Sequence, residues 1–283
     1  MLHEIKHALL HSLGHTANLI PILFLAYLLM EYLEHHAGGK LNQCLQRNRR
    51  TGPFFGSLLG LIPQCGFSSA AASFFAGGAI SIGTLLAVFL STSDEMLPIM
   101  ISNKVPGKTV MLILGLKLLT GLMVGFLVDF AARKFHMDRN RKIHDFCVQE
   151  HCSCEGGIFR SALHHTIQIA LMIYLVTAAL HIAFDFIPQE KIMAVWQIPV
   201  LSELIAALIG LVPNCAASVM ITNLYVEGVM GIGPMMAGLL VNAGVGLLVL
   251  FRVNKDKWEN CAIVSLLLFS GVFFGILYGV IFR

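Results

Sequence analysis

The sequence predicts an all-α integral membrane protein with two repeats of inverted topology, and two observations carry this prediction. Of the 283 residues, 57% are hydrophobic and only 12% are charged, whereas soluble domains carry about 25% charged residues. Most apolar segments exceed the roughly 20 residues that a membrane-spanning helix needs, and none shows the period-2 alternation of a membrane barrel. The second observation is a Pro-x-Cys motif that occurs twice, each time inside an apolar segment.

The two motifs occupy matching positions in the two halves of the chain. Pro63-Gln64-Cys65 in the first half corresponds to Pro213-Asn214-Cys215 in the second. With a constant shift of 150 positions the halves align without a gap, and several glycines coincide: Gly78 with Gly228, Gly83 with Gly233, Gly121 with Gly271, and Gly125 with Gly275. We infer an internal duplication.

Each proline is expected to break a helix within the membrane, because proline lacks the backbone donor of a regular helix. In lipid, such a break survives only where it is buried in protein or lines a polar cavity. Matched breaks in two halves are the best sequence indication of a transporter's substrate site. Pro63 and Pro213 therefore mark the predicted position of the substrate site.

Four apolar segments are predicted in the first half, after an amphipathic helix at 1–15. That helix carries a histidine every four residues on one face, which suits either a membrane-surface helix or a metal-collecting stripe. Each arm of the segment split at Pro63 is too short to span a bilayer, which predicts a re-entrant hairpin. The four segments are 16–36, 53–76, 79–102, which is interrupted at Ser91–Glu95, and 108–131.

The second half repeats this order at 166–186, 203–226, 229–252 and 258–281. The predicted domains are a first membrane repeat at 1–133, a Cys/His-rich linker at 134–157 and a second membrane repeat at 158–283. If each half has three crossings plus one hairpin, most Lys and Arg residues of the loops fall on one side of the membrane, whereas an even number of crossings spreads them over both sides. The odd number makes the repeats inverted, places the linker in the cytoplasm and both termini outside, and predicts a multi-pass protein of the inner (plasma) membrane.

Cys65 and Cys215 are the first candidates for substrate binding, because pseudo-symmetry should bring the two hairpin tips together near the midplane. Thiolates suit zinc, copper(I), cadmium or trivalent arsenic better than manganese. Gln64 and Asn214 would add carbonyl oxygens. The alternative interpretation is that small residues simply allow the hairpin tips to pack closely.

Asp94 and Glu95 are the second candidates, because a carboxylate inside an apolar span is costly and by default functional. Ser91 and Ser93 would add oxygen ligands, and Asn242 is the amide in the matching stretch of the second half. The negative charge comes from one half only, which favours a cation or a proton-coupled substrate. The alternative is a structural ion pair with Lys117 in the neighbouring span.

Two further groups are weaker candidates. Glu31 and His181 coincide at the same shift and could form a proton relay, since histidine titrates near neutral pH, although either side chain could equally lie near a headgroup. The linker has the composition of a tetrahedral soft-metal site, and a flexible loop enriched by chance is the alternative. Its candidate ligands are His144, Cys147, His151, Cys152 and Cys154.

Several classes of protein are disfavoured. The sequence has no phosphate-binding loop for nucleotide-driven pumping and no Cys-x-x-Cys motif. Its basic residues lie in short loops beside apolar segments and do not indicate nucleic acid. We therefore expect neither an enzyme nor a resident cofactor, and the expected partners are the lipid bilayer, protons and a transported metal or metalloid ion. Gly121/Gly125 and Gly271/Gly275 permit close helix packing, either within the chain or in a homo-oligomer.

The paired Leu-Ile-Pro-Gln-Cys-Gly and Leu-Val-Pro-Asn-Cys-Ala motifs, the Ser-Thr-Ser-Asp-Glu segment and the Cys/His linker resemble the ten-transmembrane-segment heavy-metal exporter family. This family is also labelled arsenic-efflux-like permease or manganese transporter. The resemblance covers nearly the whole chain. It implies efflux, with proton exchange as the expected driving force.

The sequence-based hypothesis is a secondary transporter that exports a metal or metalloid ion, such as manganese, a zinc-like soft cation or arsenite. Two other classes remain as alternatives. A membrane metal receptor would sense metal through the linker and the histidine-rich N-terminal helix. A thiol redox enzyme would use Cys65 and Cys215 as a cycling pair.

Overall fold

The computed structural model describes residues 51–62, 65–93, 96–134, 200–213 and 215–282, with single positions between 20 and 28 and between 159 and 198. Every regular element in this part of the chain is an α-helix, which confirms the predicted all-α class for the described residues. The predicted helix at 1–15 and, beyond Lys134, the linker lie outside them.

Five helices of the first half have defined bounds. They agree closely with the predicted segments, including the division of the segment at 53–76 into two arms. The helices are α1 (Gly52–Gly60), α2 (Cys65–Ala76), α3 (Ile82–Ser91), α4 (Met96–Ser102) and α5 (Gly107–Lys134).

The second half repeats these five helices in the same order. Four of the five begin 150 positions after their counterparts, and α6 begins one position earlier than that shift requires. The helices are α6 (Leu201–Gly210), α7 (Cys215–Val226), α8 (Ile232–Val241), α9 (Gly246–Val253) and α10 (Lys257–Ile281). The shift that aligns the two motifs in the sequence therefore also aligns the helix boundaries.

Four segments among the described residues are long and apolar enough to cross a membrane: 82–102, 107–134, 232–253 and 257–281. The first combines α3 and α4, and the third combines α8 and α9. Both of these interrupted segments are mostly buried in the protein, whereas α5 and α10 expose large apolar side chains such as Met111, Phe130 and Phe269. The chain is thus a multi-pass membrane protein. Its interrupted spans form the interior of the protein, and its continuous spans lie at the surface of the protein.

The two interruptions begin at defined residues. Helix α3 ends at Ser91, and Thr92 and Ser93 are not helical, so the interruption predicted at Ser91–Glu95 begins one residue later, at Thr92. Helix α8 ends at Val241, and Gly244 in the following break has a φ of 54°, a left-handed conformation that glycine adopts without steric cost.

Glycines of the two outer helices hold them against the interrupted spans. A Cβ atom at Gly121 would lie 2.8 Å from the Ala87 carbonyl oxygen, and one at Gly271 would lie 3.0 Å from that of Ala237. These two contacts show that α5 packs on α3 and that α10 packs on α8 within one chain. This identifies the partner helix that the sequence alone left open.

The two halves also interlock. Helix α2 of the first half packs against α9 of the second, and α7 of the second half packs against α4 of the first. The interrupted helices α3 and α8 contact each other directly. Each helix that starts at a motif cysteine thus packs on the helix that follows the break in the opposite half.

Candidate substrate site

The structure describes part of the predicted site. Cys65 and Cys215 are the first residues of α2 and α7, but their side chains are not among the described ones. Ser91, Ser93, Asn242 and Pro213 are described with their surroundings. The predicted residues outside the described part are Pro63, Gln64, Asp94, Glu95, Asn214, Glu31, His181, His144, Cys147, His151, Cys152 and Cys154.

In the first half, the break after α3 is bound directly to the break after α1. The Ser93 hydroxyl donates a hydrogen bond to the Leu61 carbonyl oxygen at 2.7 Å, and the Ser93 backbone N–H donates to the Gly60 carbonyl oxygen at 3.3 Å. Both acceptors precede Pro63, whose break frees nearby backbone carbonyls from the helical pattern. The interrupted span and the Pro-x-Cys break therefore lie side by side.

The other hydroxyls beside this break donate to their own helix. Ser91 donates to the Ala87 carbonyl oxygen at 2.6 Å, and Thr92 donates to the Val88 carbonyl oxygen at 2.7 Å. Ser91, Thr92 and Ser93 are all buried. Because each hydroxyl already donates its proton in a hydrogen bond, the three side chains can act toward a ligand only as oxygen acceptors.

In the second half, Asn242 shapes the break between α8 and α9. Its Oδ1 atom accepts a hydrogen bond from the Gly244 backbone N–H at 2.9 Å, and the side chain is buried, with 2% of its surface exposed. Among the described residues, its Nδ2 atom has no acceptor. The break between α8 and α9 thus contains a buried amide donor.

Lys117 reaches the same break from the first half. It lies within α5, is fully buried, and its Nζ atom donates to the carbonyl oxygen of Leu239 in the last turn of α8. The last carbonyls of a helix have no helical partner and carry its negative dipole end. The ammonium group therefore caps α8 where this helix is interrupted.

A close contact joins the breaks of the two halves. Gly246, the first residue of α9, lies against Ser68 of α2, and a Cβ atom at Gly246 would be 2.8 Å from the Ser68 Cβ atom. Ser68 is one helical turn after Cys65, and Gly246 follows the break that contains Asn242. The first Pro-x-Cys break is thus close to the interruptions of both halves.

Two buried carboxylates were missed by the sequence reasoning. Asp129 of α5 accepts hydrogen bonds from the Gly83 N–H at 2.9 Å and from the Ser81 hydroxyl at 2.7 Å, at the first turn of α3. Glu203 of α6 takes the matching place at the first turn of α8, where a Cβ atom at Gly233 would lie 2.8 Å from its Oε1. Each interrupted span therefore begins beside a carboxylate.

These two carboxylates come from different helices, and this explains why the alignment of the halves does not reveal them. Asp129 aligns with Gly279, and Glu203 aligns with Pro53. A signal was nevertheless present, because an acidic residue inside an apolar segment indicates function or a specific partner by default. Among the described residues, no group of three or more His, Cys, Asp or Glu side chains could hold a metal ion.

The described helices thus define a multi-pass membrane protein with interrupted, buried spans. Residues 16–196 match the family described as "Putative, 10TM heavy-metal exporter". Because the match covers more than half of the chain, the chain belongs to this family, and the resemblance stated from its motifs is confirmed. The match includes the first Pro-x-Cys motif, while Pro213–Cys215 lies beyond its end. No curated protein and no solved structure matches the chain.

Proposed function

We propose that the protein is a secondary transporter that exports a metal or metalloid ion from the cytoplasm, with proton exchange as the driving force. The substrate would bind among Cys65, Cys215, Asn214 and the Asp94–Glu95 segment. The proposal is supported by membership of a heavy-metal exporter family and by the interrupted helices, which are typical of transporter substrate sites.

One observation carries the location of the site. The Pro-x-Cys break contacts the interrupted span of its own half through Ser93 and Leu61, and it approaches that of the other half through Ser68 and Gly246. Buried polar side chains collect there, among them Ser91, Ser93 and Asn242, and inside a membrane protein such groups persist only where protein or a polar cavity satisfies them.

The two halves form the natural moving parts of the mechanism. In the proposed topology each half has three crossings and one re-entrant hairpin, and the repeats are inverted. Rocking of one repeat against the other would expose the site to each side in turn. Asp94 or Glu95 would release a proton as a cation binds, and the cytoplasmic linker would deliver the metal.

The test is the total metal content of cells, measured by mass spectrometry. Cells express either the wild type or the Cys65→Ser/Cys215→Ser variant and are challenged in turn with manganese, iron, zinc, cadmium and arsenite. We expect the wild type to deplete one element. Cys261→Ser is the matched control, because this thiol is exposed on α10 and should leave the depletion unchanged.

The outcomes separate the candidate substrates. Depletion that is lost in the double variant assigns a thiol-bound substrate such as arsenite, zinc or cadmium. Depletion that survives it moves the site to Asp94, Glu95 and the amides, and favours manganese. If the wild type depletes no element, the export proposal fails. Unchanged flux in vesicles containing Asp94→Asn/Glu95→Gln protein would exclude the proposed proton coupling through these acids.

A further inference from the structure

The two helices that begin at the motif cysteines, α2 and α7, occupy equivalent places in the two halves but are buried to different extents. Three side chains on one side of α2 are almost completely buried, namely Ser69 (0% exposed), Ala70 (8%) and Ser73 (1%). The residues 150 positions later on α7 are all partly exposed, namely Val219, Met220 and Asn223. The difference continues to the ends of the helices, where Gly77 is buried and Glu227 is exposed. One side of α7 is thus open where the same side of α2 is covered.

The cover of α2 comes from α9 of the opposite half. A Cβ atom at Gly246, the first residue of α9, would lie 2.8 Å from the Ser68 Cβ atom and 2.9 Å from the Ser68 carbonyl carbon. The equivalent partner of α7 is α4, which contacts it much less extensively. Within each half, in contrast, equivalent helices pack alike, since α1 packs on α3 as α6 packs on α8. The asymmetry therefore lies in the interface between the halves.

These two interfaces lead to opposite sides of the membrane in the proposed topology. The linker after α5 is cytoplasmic there, so α4 ends outside and α3 begins in the cytoplasm. Helix α2 directly precedes α3 and therefore runs from the centre to the cytoplasmic side, and by the inversion α7 runs from the centre to the outside. Rocking of inverted repeats closes one of two equivalent paths as it opens the other. A covered α2 and an open α7 fit a conformation that is open to one side.

We propose that this conformation is the one open to the outside, and that an aqueous release path for the exported ion runs between α7 and α4 past Asn223. The inference rests on the proposed transport function and specifies its path. Asn223 follows Cys215 by eight residues, which is about 12 Å along a helix axis, so it lies between the expected site and the outer surface. In the opposite conformation α4 covers this side of α7, and Ser73 becomes accessible from the cytoplasm.

The test is the labelling of single introduced cysteines with a water-soluble, membrane-impermeant maleimide. Intact cells present the outer side and inside-out vesicles present the cytoplasmic side. Peptide mass spectrometry locates each labelled residue, so that the native thiols are counted separately, and each rate is normalised to that of the same cysteine in denaturant. We expect Asn223→Cys to react from outside roughly tenfold or more faster than Ser73→Cys reacts from the cytoplasmic side, because a buried thiol reacts only when its surroundings open.

Phe269→Cys is the matched control for exposure to lipid. Phe269 is 69% exposed on α10, whereas Asn223 is only partly exposed. A thiol in apolar surroundings stays protonated and unreactive. Phe269→Cys should therefore resist the reagent from either side, although its position is the more exposed of the two.

Gly246→Ala tests whether the two interfaces move together. Its added methyl group would collide with Ser68 and disfavour the closed α2–α9 contact, which shifts the population towards the opposite conformation. We expect faster labelling of Ser73→Cys and slower labelling of Asn223→Cys, whereas a protein that was merely destabilised would react faster at both positions. Gly115→Ala is the control, since a Cβ atom there meets nothing within 4 Å, and it should change neither rate.

The inference is overturned if Asn223→Cys reacts no faster than Phe269→Cys, because α7 would then face lipid. It is also overturned if Ser73→Cys reacts as fast as Asn223→Cys, because the two paths would then be equally open. Gly246→Ala protein in which both rates rise, or neither changes, would contradict the coupled movement. If this variant does not fold, the comparison of the two cysteines still decides.

Failure of this inference is distinguishable from failure of the proposed function. Metal depletion from cells together with equal labelling of the two cysteines would contradict the release path and leave export standing. The expected labelling pattern without depletion of any element would contradict export and leave the one-sided opening of the protein standing.

Discussion

Lys117 and Leu239 are joined across the two halves of the protein by a hydrogen bond from Nζ to the backbone carbonyl oxygen. The lysine is fully buried and the leucine is 2% exposed. The bond ends at the last turn of α8, directly before the break that contains Asn242. A cation is favourable at the C-terminal end of a helix, so the interruption in one half is stabilised by a side chain of the other.

Replacing Lys117 with methionine should destabilise the fold. Methionine fills a similar volume but cannot donate, so the Leu239 carbonyl would lose this partner in a buried place. We expect a loss of about 1–3 kcal/mol in the free energy of unfolding, measured by denaturant titration of the purified protein.

Lys108→Met is the matched control for this measurement. Lys108 belongs to the same helix but is exposed, so its replacement should change the free energy of unfolding by less than about 0.5 kcal/mol. Equal effects of the two substitutions would show that the contact with Leu239 contributes nothing to stability.

The glycines of α5 provide an internal comparison. A Cβ atom at Gly125 would lie 2.8 Å from the Gly83 carbonyl oxygen and 2.9 Å from the Ala87 Cβ atom, whereas one at Gly115 would meet nothing within 4 Å. Gly125→Ala should therefore push α5 away from α3 and cost about 1–3 kcal/mol.

Gly115→Ala is the control in the same helix. It should be neutral or stabilise the protein by up to about 1 kcal/mol, because alanine has the higher helix propensity. Thermal unfolding of both variants in one detergent checks the prediction. A Gly125→Ala protein as stable as the wild type would contradict the close approach of the two helices.

Much of the architecture could be predicted because a few residues constrain the backbone directly. Pro63 and Pro213 lack the backbone donor that a helix interior needs, and the predicted arms agree with α1 and α2 and with α6 and α7. The Gly121 and Gly271 pairs likewise indicated close packing, since the absence of a side chain on a helix face has a clear steric meaning.

Long-range partners could not be predicted in the same way. The contact of Ser68 with Gly246 depends on which helices of the two halves meet, and local sequence does not encode that choice. Asp129 and Glu203 show the same limit, because equivalent places are served by carboxylates from non-equivalent helices. The binding roles of Cys65, Cys215, Asp94 and Glu95 remain predictions.

Asp129 should contribute more to stability than Glu203. The Asp129 carboxylate accepts two hydrogen bonds at the first turn of α3, where the helix dipole favours negative charge. For Glu203 the described residues show a bond from its sequence neighbour Ser202 at 3.0 Å. We expect Asp129→Asn to lower the free energy of unfolding by about 1–2 kcal/mol, and Glu203→Gln to lower it by less.

Glu227→Gln is the control for both substitutions, since Glu227 is exposed and its replacement should have no measurable effect. The three variants are compared by denaturant unfolding at neutral pH. A larger loss for Glu203→Gln than for Asp129→Asn would reverse the order and show that the carboxylate of the second half is the more strongly bound.

Thr120 and Tyr278 form a second polar contact between the halves, and a double-mutant cycle can measure it. Their hydroxyl oxygens lie 2.6 Å apart in a buried part of the α5–α10 interface, and Thr120 also donates to the Leu116 carbonyl oxygen at 2.8 Å. Thr120→Val and Tyr278→Phe each remove one hydroxyl with little change of shape. Because the double variant leaves neither group unpaired, it should be less destabilised than the sum of the single variants, with a coupling of about 0.5–1.5 kcal/mol. A coupling of zero in unfolding measurements would mean that the two hydroxyls bond to other groups.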